Sequence, residues 1–385
     1  MKKGLFALMA GIVCFGAGSA HADLKKWNKR MQELSRVLSD LLPEITNEKS
    51  DPKKLKEGTA KLSELVHGLK LQPGKESLLP PDADPSLTMI SDTFEREVER
   101  AQSAIREGYI QYGKGILRNA TSYCIACHTR SNSGPDFPGI TLTTRTEKMP
   151  ALQKAEILAA TRQFDGALEE FMKVVSDDKA ARLRQLEWRR AVQRGLLLAT
   201  RVKQDPDKTL RIVNAIASQT GPLFLKEYTG SWRDAIVKWK AEPSSPKRTE
   251  ESLFAEANRL YSEGIKAQRF ALDHAGDIYF LRATAAAHDQ LRVSPTGPKS
   301  AEAMLLIGQC YEVVNDPVLW PIHETYYENC IRQAPHTAVA AKCYGRFEES
   351  IYFGYSGSGG ISIPDDIQAH LSTLRNLAHS DAEKR

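Results

Sequence analysis

Along the N-terminal third of the chain, apolar residues recur at three- and four-residue steps, the period of a helix with one buried face. Trp27, Met31, Leu34, Leu38 and Leu41 make one stripe, predicting a helix over 24–42 that Pro43 ends. Leu55, Leu62, Leu65, Val66 and Leu69 make a second over 52–71, closed by Pro73-Gly74. After a Pro-rich stretch from Leu78 to Pro85, a third stripe starts near Ser86. It carries Met89 or Ile90, then Phe94, Val98, Ala101 and Ile105, and stops at Gly108. A fourth runs from Tyr109 through Ile116, Leu117 and Ala120 to Cys124. Four helices with short links and one long crossing predict a four-helix bundle over 23–132.

Residues 133–150 carry Gly134-Pro135, Phe137-Pro138-Gly139 and Met149-Pro150, which is linker chemistry. From Ala151 on the pattern is helical throughout, so the expected class is all-α. Pro243-Ser244-Ser245-Pro246 divides a helical region over 151–242 from a second over 251–375. Gly354–Gly360 lacks the Lys-Ser/Thr ending of a phosphate loop and reads as a flexible connection, and 376–385 as a frayed tail.

The 385 residues predict two or three domains, and 41% hydrophobic with 26% charged residues is ordinary for a soluble protein. The N-terminus changes this picture. Lys2 and Lys3 precede an apolar run, Leu5–Phe15, too short to span a bilayer, and Ala20-His21-Ala22 fits a cleavage site. Residues 1–22 are therefore expected to be an export signal cleaved after Ala22, leaving a periplasmic chain from Asp23 with no stable membrane insertion. Cys14 follows the bulky Val13 and does not suit lipid attachment. Losing Lys2 and Lys3 takes the formal charge from +5 to +3, which gives no reason to expect nucleic acid. Lys114, Arg118 and Arg130 stand in a stretch without acidic residues. They read either as ordinary solvated charge or as a weakly positive surface steering an acidic partner.

Chemistry concentrates in Cys124-Ile125-Ala126-Cys127-His128, the C-x-x-C-H signature of covalent c-type haem attachment. Two thiols three residues apart project from one side of a helical turn and reach one porphyrin edge, and the next residue supplies a proximal imidazole. A thioredoxin-like pair would follow a strand, not a long helical pattern. A zinc knuckle would need nearby ligands, whereas the nearest other Cys or His are His67 and His274. The expected cofactor is one covalent haem c, held by Cys124 and Cys127 with His128 as proximal axial ligand. Of the remaining cysteines, Cys310, Cys330 and Cys343, two are expected to pair in an oxidising compartment and the third to stay buried. Cys330 with Cys343 is the preferred pair, since they fall on consecutive predicted helices. His323 and His336 near Cys330 read as structural or exposed rather than as a second metal site.

With the motif at the end of a fourth helix, residues 23–130 resemble the cytochrome c-prime and b-type four-helix cytochromes. In six-coordinate members a methionine early in the first helix is the distal iron ligand, so the resemblance implies Met31. Met89, His67 and Met149 are rivals, and an open five-coordinate iron is the arrangement of typical c-prime members. One departure is that Ser131-Asn132-Ser133-Gly134-Pro135 breaks the helix just past the histidine, and more than half the chain follows.

That remainder resembles tetratricopeptide repeats in two places, although generic α-hairpins also fit. Ala155–Ala160 with Phe164–Phe171 makes half a repeat. Ala303–Tyr311, with Gly308 and Tyr311 at the expected offsets, is followed by Tyr327, Cys330 and Pro335, then by Ala340, Cys343, Tyr344 and Phe347. The aromatics Trp320, Tyr326, Tyr327, Tyr344, Phe347, Tyr352, Phe353 and Tyr355 read as repeat core or as a peptide groove. The sequence carries no acid–base or nucleophile constellation. The expected function is therefore a periplasmic monohaem electron carrier, not an enzyme, whose repeats dock a redox or envelope partner protein. The alternative is an envelope scaffold whose haem senses redox state or a diatomic gas.

Overall fold

The computed structural model describes residues 17–46, 49–67, 69, 86–132, 134, 149–221, 223–243, 248–314 and 322–379, with side chains from Trp27 on. The apolar run Leu5–Phe15, Pro73-Gly74, Leu78–Pro85, Phe137-Pro138-Gly139, Trp320 and most of the expected tail lie outside the described residues. Over the described residues the protein is all-α apart from one two-stranded hairpin.

Four helices come first: α1 (Ala17–Thr46), α2 (Pro52–His67), α3 (Ser86–Arg106) and α4 (Ile110–His128). Pro43 lies inside α1 rather than ending it. Proline takes away the bond from its own nitrogen and crowds the carbonyl four residues back, a cost that packing of the next turn offsets. The turn beyond it is anchored by Leu42 and Ile45, both buried, and by Thr46 Oγ1, which donates to the Leu42 carbonyl at 2.8 Å. Pro52 opens α2, with the Asp51 carboxylate capping the Lys53 N–H at 2.9 Å. Each helix packs on the next and α4 also touches α1. They share a core that includes Leu34, Leu41, Leu62, Val98, Ile105 and Leu117. A Cβ on Gly113 would run into Ile105 and the Ala101 carbonyl, so its absence lets α4 lie directly on α3.

The rest is a succession of helices: α5 (Ala151–Ala160), α6 (Phe164–Val175), α7 (Asp178–Leu183) and α8 (Gln185–Leu196), which continues as a π-helical turn over Leu197–Val202. Then come α9 (Pro206–Ser218), α10 (Thr229–Ala241), α11 (Glu250–Ala267), α12 (Asp277–Val293), α13 (Ser300–Val313), α14 (Ile322–Gln333), α15 (Ala338–Gly354) and α16 (Asp365–Ala378). Neighbours α5–α6, α11–α12, α13–α14 and α14–α15 pack as pairs. Gly264 faces the Phe280 ring and Gly308 the Tyr327 ring, small residue against aromatic where helices cross. In α12 every residue from Asp277 to Leu291 is buried, which makes it the central helix of this part.

One apolar core runs from Leu152 to Ala378. It does not stop at Pro243: Trp232 Nε1 donates to the His274 carbonyl at 2.7 Å, and Glu242 pairs with Arg282 across that connection. The aromatic cluster divides. Tyr326, Tyr327, Tyr344 and Phe347 are core, while Tyr352, Phe353 and Tyr355 are exposed. Gly354–Gly360 is not an unstructured connection. It carries β1 (Ser356–Gly357) and β2 (Gly360–Ile361), antiparallel in the register Ser356↔Ile361 and Gly357↔Gly360, with Gly360 at φ +103°. Cys330 and Cys343 form a disulfide between α14 and α15, the pair preferred from their positions, and Cys310 is a buried thiol. Among the described residues no helix is long and apolar enough to cross a membrane.

Candidate functional site

Helix α4 carries the motif on its last turn. Its first part turns Ile116, Leu117 and Ala120 into the core shared with α1–α3. At Tyr123 the surroundings change. Cys124 packs on the N-terminal core, whereas Ile125 and Ala126, with Cys127 beside them, belong to the core of the later helices. Tyr123 touches both, its ring 5.9 Å from that of Phe94 on α3. The motif therefore sits at the junction of two cores, and it joins the N-terminal helices to the rest of the chain.

His128 closes the helix. Its Nδ1 lies 2.5 Å from the carbonyl oxygen of Ala160, the last residue of α5. Donation from Nδ1 to a backbone carbonyl fixes the tautomer and puts the lone pair on Nε2, which is how ligating histidines are commonly oriented. Burial pulls the imidazole pKa down to about 4, with the Ala160 acceptor opposing that shift and the Arg162 charge adding to it. The ring is neutral at neutral pH. Burial pushes the Cys124 thiol up to about 12, and Cys127 beside it adds to the shift, so no thiolate forms there at neutral pH.

The helix end is capped by residues far along the chain. Arg162, just past α5 in the left-handed region at φ 61°, donates from Nη1 to the His128 carbonyl at 2.9 Å. Arg201, in the π-helical turn, donates from Nε to the Thr129 carbonyl at 3.0 Å and from Nη2 to Thr129 Oγ1 at 2.7 Å. Cations here satisfy carbonyls that α4 leaves open and oppose the negative end of its dipole. About two turns back, Arg194 donates to Ser122 Oγ at 2.8 Å and pairs with Glu156 at 2.7 Å. Sequence reasoning missed Ala160, Arg162, Arg194 and Arg201. Only Arg201 left a trace, as a lone cation in the run Leu196-Leu197-Leu198-Ala199-Thr200-Arg201-Val202.

Neither reading of the three basic residues beside the motif, solvated charge or a positive surface, holds for two of them. Lys114 is fully buried with its Nζ 3.4 Å from Ser50 Oγ, and Arg130 is buried with its guanidinium over the Tyr326 ring. Only Arg118 of the three is exposed, and it donates to the Ile45 carbonyl. Lys114 sits on a packed face of α4 beside Ser50, and Arg130, two residues past the end of α4, is covered by Tyr326 of α14.

The candidate distal residues are scattered. Met31 is half-buried on the same N-terminal core as Cys124. The Met89 thioether accepts from Asn329 Nδ2 at 2.9 Å, Met149 packs on Leu42 and Ile157, and His67 pairs with Glu95. Cys124, Cys127 and His128 form a donor set that fits a covalent haem on its proximal side: two thiols and a neutral imidazole on one turn, with apolar neighbours. Comparison with protein families, curated proteins and solved structures finds no match for the chain.

Proposed function

We propose that the protein is a periplasmic monohaem c-type cytochrome that passes single electrons. Its first four helices act as a haem-holding bundle, and its later hairpins, a tetratricopeptide-like array, dock a partner protein. The observation that carries the reading is His128: a neutral imidazole whose Nδ1 is held by the Ala160 carbonyl, directly after two cysteines on the same helical turn. When bound, haem c supplies the one-electron iron couple. The chain supplies the rest. Cys124 and Cys127 offer sulfurs for thioethers, His128 offers Nε2, and Ala160 holds the Nδ1 proton so that the ring stays oriented. Arg162 and Arg201 pin the helix end, and the apolar residues around Tyr123 and Ile125 limit water. Met31, which packs on the same N-terminal core as Cys124, is the distal candidate.

The test is a haem stain of the exported protein on a denaturing gel, together with its ferric spectrum. Covalent haem that disappears in Cys124→Ala/Cys127→Ala supports the reading, and a far-red methionine-to-iron band lost in Met31→Ala assigns the sixth ligand. High-spin bands that respond to carbon monoxide or nitric oxide would instead favour a gas-sensing envelope scaffold. A colourless exported protein would overturn both.

A further inference from the structure

We infer that the cleft between α8, α10 and α12 binds a small zwitterion, a free α-amino acid with an apolar side chain. The cleft lies away from the haem motif, in the later helices. Its wall is apolar where Leu197 of the π-helical turn, Leu225, Trp232 and Leu281 meet, and polar where Gln193 and Asp277 enter it. With its open mouth counted it holds about 480 Å3. That is the size of site that takes a small molecule, and it leaves no room for a folded partner. Arg190 and Arg194 also line it, and both pair with Glu156 of α5.

Three polar groups at this cleft are left over once the pairs within the chain are made. Arg189 lies one turn before Gln193, so the two share a face of α8. It is half-buried, its guanidinium 4.9 Å from the centre of the Phe224 ring, beside Leu225 of the same 3-10 turn, Phe224–Tyr228. Among the described residues no carboxylate pairs with Arg189, and its buried Nε has no acceptor. Gln193 is the second group: its Oε1 is buried without a donor. The third is Asp277 of α12, buried, with His274 as its hydrogen-bond partner and no lysine or arginine paired with it among the described residues. Arg189 and Asp277 sense each other without forming an ion pair. Burial raises the Asp277 pKa to about 6, and His274 and the Arg189 charge pull against that rise. Polar atoms shut away from water without partners are costly, and native folds carry few of them. A molecule with a carboxylate and an ammonium on one carbon answers all three. Its carboxylate closes on the Arg189 guanidinium, its ammonium donates to Gln193 Oε1 and to Asp277, and its side chain lies on Leu225, Trp232 and Leu281. A simple anion would leave Asp277 facing a like charge, and a simple cation would face three arginines.

The test titrates the full-length protein at neutral pH by calorimetry with L-leucine and L-valine. It repeats the titration with isocaproate, which is leucine without its ammonium, and isoamylamine, which is leucine without its carboxylate. The expected result is one amino acid per chain, with each truncated ligand weaker by at least about tenfold, the loss expected for one charged hydrogen bond. Arg189→Met and Asp277→Asn are expected to weaken leucine by a similar factor, with circular dichroism checking that both variants fold. Leucine should also raise the melting temperature of the parent, as binding to the folded state alone requires. Binding of neither amino acid overturns the proposal, and so does isocaproate or isoamylamine binding as tightly as leucine. The ligand comparison is made on the parent protein, so it decides the matter even where a variant does not fold. Neither the ligands nor the variants use a residue of the haem motif, so the outcome is independent of the electron-carrier reading.

Discussion

Gly308 on α13 stands against the ring of Tyr327 on α14, and a Cβ built on it would overlap that ring. Tyr327 has nowhere to retreat, because it is fully buried with its hydroxyl donating to Glu312. Gly308→Ala is expected to cost about 1–3 kcal/mol, the range for overpacking a filled core, read from urea denaturation. Asp277 gives a second residue-level test. It is buried beside His274, whose Nδ1 lies 2.9 Å from its carboxylate, and burial pushes its pKa from the ordinary 3.8 up to about 6. The folded chain thus keeps a proton that the unfolded chain has lost. The contribution of Asp277 to stability is fully present below about pH 4, is lost as pH rises to about 6, and is level above that. The fall is on the order of 2–3 kcal/mol. Asp277→Asn should lack it, so the difference between parent and variant in denaturation series across that range is the measurement. A constant difference would contradict the assignment.

At the scale of elements, the disulfide joins α14 to α15 across a sequence separation of 13 residues. Closing a loop of that size is worth about 3 kcal/mol through the unfolded chain. Reduction of this protein should therefore lower its unfolding midpoint, and Cys330→Ala/Cys343→Ala should become insensitive to reductant. The helices themselves were legible because their signal is local. The stripe Phe94, Val98, Ala101, Ile105 and the run Ala303–Tyr311 are written at local spacings, and the structure places α3 and α13 on them. What was not legible depended on contacts between segments distant in sequence. Pro43 was read as a stop because local rules end helices at proline, yet buried Leu42 and Ile45 carry α1 past it. Lys114 and Arg130 were read near the surface because nothing local distinguishes a covered cation from a solvated one. The motif's own three residues were explicit in sequence, but its supports, Ala160 and Arg201, were not.

For the whole molecule, the junction at α4 decides how far the two parts can be separated. Ile90, Ile125 and Ala126 sit in the later core, and Ser122 and Thr129 are held by Arg194 and Arg201. A chain ending at residue 132 would expose those apolar side chains and strand the polar groups. It should melt well below the full-length protein or associate, measured by circular dichroism and size exclusion. Equal melting temperatures would show that the N-terminal helices stand alone. A milder version is Arg201→Met, which leaves the buried carbonyl and hydroxyl of Thr129 without that guanidinium. It is expected to cost about 2–3 kcal/mol by chemical denaturation.

The guanidinium groups that close over the end of α4 are made 72 residues after the groups they hold, in both the Ser122–Arg194 and the Thr129–Arg201 pair. A chain emerging from its N-terminus therefore presents its two sulfurs and imidazole openly at first, and shuts them in only when that later stretch arrives and folds. On the proposed reading, joining a haem to those sulfurs would have to precede that closure, so the chain's own length would set the time in which it can happen.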